Sequence, residues 1–481
     1  MAEQSLKEKT AKGLFWGGLS NGVLQLLNLF FGIFLARILT PADYGMVGML
    51  AIFTAIAGTL QESGFTAALT NKKEATHADY NAVFWFSLFI GSIIYVILFF
   101  CAPLIAEFYH IPALTPLARF LFIGFFISSS STAHNAILFK NLMVKQKAIS
   151  QIVALIISGI VGIIMAINGM SYWGIASQTV IYICIVNSFY WYFSPWRPTL
   201  HLNFHPLKNM FGFSSKILVS TIFTQINNNL FSVLLGKFYS TSEVGYYAQA
   251  NKWSTMGYSF IGGMVNGVAH PVLAEVSTDH RRQLNIFRKM LRFTAFISFP
   301  SMFGIALIAQ ELIVIAVTDK WQPCVPILQL LCIWGAFIPI NSLYSNLIIS
   351  KNKSNIFMWN TILLGIVQIL TMLLVYPHGI FTMIITFISI NIGWLFIWQF
   401  FAYQLLQFSL WNAMKDIIPF ATTAAITMII TYYITLDIEN IYILLIAKVF
   451  IAAVLYSLFM KMSNSSIFKE SIRFLLKKKQ L

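Results

Sequence analysis

The feature that most constrains this chain is a train of apolar runs, each long enough to cross a bilayer. A transmembrane helix needs about 20 mostly apolar residues. Runs of that kind lie near 13–36, 44–68, 80–103, 113–138, 148–168 and 172–194. Eight more lie near 209–236, 244–273, 290–316, 323–350, 355–376, 379–402, 414–436 and 441–461. Of 481 residues, 58% are hydrophobic and only 10% charged, against about 25% charged in a soluble domain. Water could not surround so much apolar surface, so a soluble globular protein is excluded. The expectation is an all-α integral membrane protein of about fourteen transmembrane helices. Lys7, Lys9 and Lys12 followed by an apolar run look like a secretory signal. The run is long enough to span and more spans follow, so an uncleaved first helix is expected. Cys101, Cys184, Cys324 and Cys332 lie in or beside apolar runs without metal-ligand spacing, and read as small buried hydrophobes.

The 31 Lys and Arg residues orient the spans. With a cytoplasmic N-terminus, 24 of them fall on inward segments and three (Arg37, Lys237, Lys320) on outward ones. Such a bias obeys the positive-inside rule, and one missed span would spoil it. Both termini are therefore expected in the cytoplasm. The net charge of +15 follows from topology and anionic inner-leaflet lipid, so nucleic acid is not an expected partner.

The seventh run restarts the first at an offset of 200 positions. Gln25 matches Gln225, Asn28 matches Asn228, Arg37 matches Lys237, Thr40 matches Ser240, Asp43 matches Glu243 and Gly45 matches Gly245. Polar matches at one constant offset mark an internal repeat. Six intervening spans make the copies parallel, related by a pseudo-two-fold axis along the membrane normal. The expected organisation is a six-helix lobe over 1–200, a second over 201–403, and two extra helices with a basic tail over 404–481.

Ionisable residues inside spans are expensive and point to function by default. Lys252, Lys448, Lys216 and Arg119 are such cations, and candidate sites for an anionic group. The competing reading is snorkelling to the headgroups. Glu62, near the inner end of the second run, is a candidate for ion coupling, for a gate with Lys12 or Lys216, or for a place in the cytoplasmic funnel. Asn21, Gln25 and Asn28 share one face of the first helix, and Gln225, Asn228 and Asn229 recur on the seventh. These amides suit a sugar-accepting lining, or hydrogen bonds between helices. Ser128 to Thr132, His134, Asn135, Asn341, Ser342 and Asn346 extend the polar set; His270 reads as interfacial. Gly17, Gly18, Gly22, Gly32, Gly257, Gly262, Gly263 and Gly267 permit close packing or bending. Arg37 and Lys237 read as interfacial anchors with Asp43 and Glu243 as local partners.

The opening GLFWGGLSNGVLQLLNLFFGIFLARILTPADYG, with ESGFTAALTNKKEATHADYNAVFW (62–85) and EVGYYAQANKW (243–253), resembles polysaccharide flippases of the multidrug/oligosaccharidyl-lipid/polysaccharide exporter superfamily. HPVLAEVSTDHRRQLNIFRKML (270–291) and FPSMFGIALIAQELIVIAVTDKWQPCVPILQLL (299–331) are similar to it as well. The resemblance implies two helical bundles forming a V around a cavity, working by alternating access. It implies an undecaprenyl-pyrophosphate-linked oligosaccharide as cargo, O-antigen or colanic-acid-type polysaccharide assembly, and a bacterial inner membrane. Membrane lipids are expected partners, with a polysaccharide polymerase and export machinery as further ones; no cofactor and no metal is expected. Fourteen spans fit the branch that includes lipid II flippases, where two extra helices form a groove for the lipid tail. A lipid II-type precursor flippase and a multidrug exporter are the alternatives within the superfamily. A membrane glycosyltransferase, ligase or polymerase is disfavoured, because the outward loops are too short to hold an active site. No enzymatic step is expected.

Overall fold

In the computed structural model the described residues are 6–62, 69–70, 72, 74–351, 353–463, 465, 467–470 and 473. For 6–20, 57–58, 60–62, 206, 208–217, 219–220 and 270 the description covers the backbone alone. The elements are helices, in this order: α1 Leu6–Ile38, α2 Pro41–Met49, α3 Ala51–Glu62, α4 His77–Tyr109, α5 Leu114–Ser129, α6 Thr132–Lys140, α7 Val144–Ile167, α8 Trp173–Phe193, α9 His205–Phe238 and α10 Thr241–Glu275. After these come α11 His280–Leu307, α12 Ala309–Val317, α13 Cys324–Ser350, α14 Ser354–Val375, α15 Ile380–Leu406, α16 Leu410–Ile434 and α17 Ile441–Met462. Short 3₁₀ turns at Asp319–Trp321 and Tyr376–His378 precede α13 and α15.

Each expected span has helix beneath it. Among the described residues nine helices are long and apolar enough to cross a membrane, and ten if the bent pair α5–α6 counts as one. Helices α8, α9 and α10 and the pair α2–α3 fall outside that set. The helix surfaces fit lipid where they are apolar: Phe100 is 70% and Leu374 75% exposed, a cost no water-facing helix would carry over so many positions. The protein is a multi-pass membrane protein.

Three expected spans are not continuous, and local chemistry accounts for one of the breaks. Between α5 and α6 the axis bends by 50°. There the hydroxyls of Ser129, Ser130, Ser131 and Thr132 each donate to the carbonyl three residues back, and such back-bonding bends helices. The second span breaks at Leu50, between α2 and α3, and the ninth at Ile308, between α11 and α12. Pro103, Pro271, Pro300, Pro339 and Pro419 sit inside helices without ending them, as neighbouring helices allow in membranes.

The chain divides into two compact units, Met1–Gly245 and Tyr246–Leu481. In the first, α7 packs on α1 and α8, and α5 on α4, α8 and α3. Helix α9 belongs to this unit because it packs on α3, α4 and α2, so the compact boundary falls about a helix and a turn beyond the repeat boundary near 201. In the second unit α11 packs on α13 and α16, α13 on α15, and α16 on α17.

The matched residues of the repeat build matched turns. Thr40 caps α2, and its backbone N–H and hydroxyl donate to Asp43 Oδ2 at 2.8 and 2.7 Å. Ser240 does the same to Glu243 Oε2 at 2.9 Å in both contacts. The threonine, serine and two carboxylates thus match because both helices open on the same reciprocal cap. Asp43 and Glu243 therefore serve these caps, while Lys237 donates to Phe108 O at 2.6 Å at the end of α4.

The two turns also meet, through residues that all lie in the first unit. A Cβ on Gly45 would stand 1.8 Å from Thr241 O, and one on Gly245 1.8 Å from Pro41 O. Each copy's glycine thus accepts the other copy's first-turn carbonyl, and no larger residue fits either place. Gly45→Ala and Gly245→Ala should each lower the midpoint of thermal unfolding in detergent. Gly393→Ala, with nothing within 4 Å of the added carbon, should leave it unchanged or raise it slightly. Equal midpoints for all three would contradict the crossing.

Candidate functional site

The polar stripe of α1 is open. Asn21, Gln25 and Asn28 are all exposed and, at 3.6 residues per turn, fall within about 60° of one another. Leu26, Phe30 and Phe34 are exposed too, and lie about 180° away. One helix thus shows amides on one side and large apolar groups on the other. An amide in hydrocarbon costs several kcal/mol (roughly 2–7) unless bonded, so the amide side belongs to water and the apolar side to lipid. On α9, Asn228 is exposed while Gln225 and Asn229 are half-buried. Asn229 Nδ2 donates to Gln225 O at 2.9 Å, which uses one of the amides within its own helix.

The intramembrane cations divide sharply by partner. Lys448 is buried in α17, donating to Glu311 Oε1 at 2.6 Å and Leu307 O at 3.3 Å. Glu311 is itself buried in α12. Arg119 lies over the Phe99 ring at 4.3 Å and donates to Phe99 O at 3.3 Å, tying α5 to α4. Lys252 lies three turns into α10, half-buried, and has no hydrogen bond or ion pair among the described residues. Of the candidate cations whose side chains are described, Lys252 alone has no hydrogen bond, ion pair or ring contact among the described residues. The side chains of Lys216, Glu62 and His270 lie outside the described residues.

Two acids escaped the sequence reading. Glu311 sits in IALIAQELIVIAV, where its surroundings disguise it as part of a span; its place opposite Lys448 depends on two helices 137 positions apart. Asp416, one turn into α16, accepts from Arg288 Nε at 2.7 Å and Nη2 at 3.1 Å. With Arg292 at 3.7 Å, this fork joins α11 to α16. In both pairs the acid opposes a cation from the list that gave the topology, and that coincidence was the available signal.

Further polar residues gather in the second unit. Asn266 Oδ1 accepts from Ser342 Oγ at 2.5 Å and Asn346 Nδ2 at 2.8 Å, so α10 and α13 share an exposed amide–hydroxyl cluster. In the first unit His134 is fully buried against Trp191, with ring centres 4.3 Å apart; it is part of an aromatic cluster. Gly257 packs closely on Ile305 and Met302, whereas Gly22, Gly262, Gly263 and Gly267 face open space.

A large apolar groove of about 920 Å³ lies in the second unit. Ile261 and Val265 of α10, Phe293 and Ile297 of α11, and Ile467 beyond α17 line it. Lys289 and Glu470 stand on its wall, 2.5 Å apart. The exposed Glu470 carboxyl is held below the usual carboxylate range by its hydrogen bond from Lys289.

The family described as "Polysaccharide biosynthesis protein" matches residues 34–326. The chain is 23% identical over 359 residues to the lipopolysaccharide biosynthesis protein WzxC of Escherichia coli (strain K12), covering 73% of this chain and 72% of that protein. It is 23% identical over 396 residues to the teichuronic acid biosynthesis protein TuaB of Bacillus subtilis (strain 168), covering 82% and 80%. Its fold is similar to that of the lipid II flippase MurJ in an inward closed conformation, with TM-score 0.75, 15% identity, and coverage of 93% and 99%. It is similar also to an inward-facing multidrug resistance MATE family transporter of the MOP superfamily, with TM-score 0.64, 17% identity, and coverage of 83% and 96%.

The geometry of the buried pair sets a test. Glu311→Gln should strand Lys448 in a dry site and destabilise the protein by about 3–5 kcal/mol, read as lost abundance and a lowered unfolding midpoint. Exchanging the two residues, Glu311→Lys with Lys448→Glu, should recover part of the loss. A Glu311→Gln protein as stable as the parent would show that the pair is not what holds α12 to α17.

Proposed function

The chain belongs to the polysaccharide biosynthesis protein family, and from that premise we propose that it flips an undecaprenyl-pyrophosphate-linked oligosaccharide across a bacterial inner membrane, as a step in surface polysaccharide assembly. Its fourteen spans comprise α1, α2–α3, α4, α5–α6, α7, α8, α9, α10, α11–α12 and α13 to α17, with both termini cytoplasmic, as the lysine and arginine bias requires. Two lobes work by alternating access, and the process makes and breaks no covalent bond.

The observation that carries this reading is α1, whose exposed amides stand opposite its exposed apolar face. Sugars need neutral hydrogen-bonding groups in water, and Asn21, Gln25 and Asn28, with Asn228 of the equivalent helix, offer them. The diphosphate needs a cation, because a bare charge loses hydration worth many kcal/mol in hydrocarbon. Lys252, without a counter-ion among the described residues, is the cation of choice, with Lys216 as a second; Lys448 and Arg119 are committed to neighbouring helices. The isoprenoid tail has a place of matching chemistry in the apolar groove between α10, α11 and Ile467. WzxC and TuaB are named for lipopolysaccharide and teichuronic acid biosynthesis, which supports a role in polysaccharide assembly.

Stability and transport should separate cleanly between two lysines. Lys252→Gln should keep the parent's membrane abundance and lower surface glycan by about tenfold or more, the scale of one lost charge-assisted hydrogen bond. Lys252→Arg should retain most export. Lys448→Met should instead lower abundance, with export per molecule little changed. Full export from the Lys252→Gln protein would remove the diphosphate assignment.

A further inference from the structure

A second groove, of about 810 Å³, lies in the second unit where α17 ends. Phe450, Val454 and Leu458 floor it at steps of four residues, which puts them on one face of the helix. They are 68%, 41% and 48% exposed. Lys448, Ala452, Tyr456 and Met460 are the buried residues of α17, so the grooved face turns away from the protein. At its head stand three cations, Lys461 in the last turn of α17 and Lys469 and Arg473 beyond it. Among the described residues no acid lines the groove, and none of the three cations forms an ion pair.

The length of the groove sets the scale of what it holds. From Phe450 to Lys461 the helix rises about 16 Å at 1.5 Å per residue, and half of a bilayer's hydrocarbon core is about 15 Å. The groove thus runs the depth of one leaflet, with its cations at the level of the headgroups. An undecaprenyl chain is far longer than that depth. The second wall is the segment after α17, which is held to the bundle through aromatic rings. Phe468 meets Phe296 with ring centres 6.3 Å apart, and Phe296 stacks on Tyr456 of α17 at 5.9 Å. Glu470 of the same segment lines the neighbouring groove, where Lys289 engages it at 2.5 Å. The segment is thereby neutralised on one side and left positive on the side toward α17.

We propose that this groove holds an anionic phospholipid of the surrounding bilayer, with its acyl chains along Phe450, Val454 and Leu458 and its phosphate among Lys461, Lys469 and Arg473. Basic pockets beside membrane helices at headgroup depth suit such lipids. A zwitterionic lipid would bring its own ammonium among three cations, so the anionic headgroup is preferred. A lone lysine snorkels to any headgroup, whereas three cations from two segments, converging on one apolar groove, select a single molecule. Because the cations come from α17 and from the segment after it, the bound lipid ties the two together. That segment also supplies Ile467 and Glu470 to the wall of the larger groove, so the lipid steadies that wall as well. The proposal is independent of the cargo and of the role of Lys252.

The test uses full-length protein purified in detergent and stripped of lipid. It is titrated with phosphatidylglycerol or with phosphatidylcholine of the same chains, and bound lipid is counted by native mass spectrometry. Phosphatidylglycerol should bind the more tightly. Lys461→Gln, Lys469→Gln and Arg473→Gln together should weaken it by about fivefold for each cation removed. The charge-keeping set Lys461→Arg, Lys469→Arg and Arg473→Lys should retain it. Val454→Trp, which fills the groove from a lipid-facing position, should weaken phosphatidylglycerol binding with every charge in place. Arg281→Gln, Lys353→Gln and Lys415→Gln together remove as much charge elsewhere and should leave binding unchanged. Where the first triple variant fails to fold, Val454→Trp decides. Equal binding of the two lipids, or equal losses in the two glutamine sets, would mean that net charge alone acts and would overturn the proposal. So would displacement of phosphatidylglycerol by inorganic phosphate or by undecaprenyl phosphate at equal concentration, which would assign the groove to free phosphate or to the cargo.

Discussion

A charge taken into hydrocarbon must find an opposite charge or carry water with it, and the arrangement of this protein's polar groups follows from that requirement. Lys448 meets Glu311 at 2.6 Å and Arg288 meets Asp416 through two contacts. Each pair spans two helices of the second unit, α12 with α17 and α11 with α16, so neutralisation and helix assembly are one event. Lys252 is left without such an answer. An unmatched cation half-buried in a membrane helix is costly.

The repeat contributes a second constraint, of backbone shape rather than charge. The caps at Thr40 and Ser240 set two helices off in the same way, and Gly45 and Gly245 let those helices approach to backbone contact. The matches of Thr40 with Ser240, Asp43 with Glu243 and Gly45 with Gly245 are thereby accounted for. A cap needs its hydroxyl and its carboxylate; a crossing at backbone distance needs its glycine.

Much of this was legible in the sequence because it depends on local composition. Apolar runs gave the helices. The constant offset drew attention to Thr40, Asp43, Gly45 and their partners, whose carboxylates cap the helices that follow. What could not be read was pairing across the fold. Lys448 looked like a free intramembrane cation because its acid lies 137 residues away, hidden in an apolar run. The four consecutive hydroxyls from Ser129 to Thr132 looked like a polar stretch of one continuous span. Their protons go back to the chain's own carbonyls, and the helix bends there by 50°.

The account rests on α1 having a wet face and a lipid face. With Cys101, Cys184, Cys324 and Cys332, all unpaired, replaced by serine or alanine, single cysteines can be introduced by Asn21→Cys, Gln25→Cys, Asn28→Cys, Leu26→Cys, Phe30→Cys and Phe34→Cys. A membrane-impermeant thiol reagent, applied from either side of the membrane, should modify the cysteines replacing the three amides and spare those replacing the three apolar residues. Equal labelling of both sets, or labelling of the apolar set alone, would contradict a water-filled passage beside this helix.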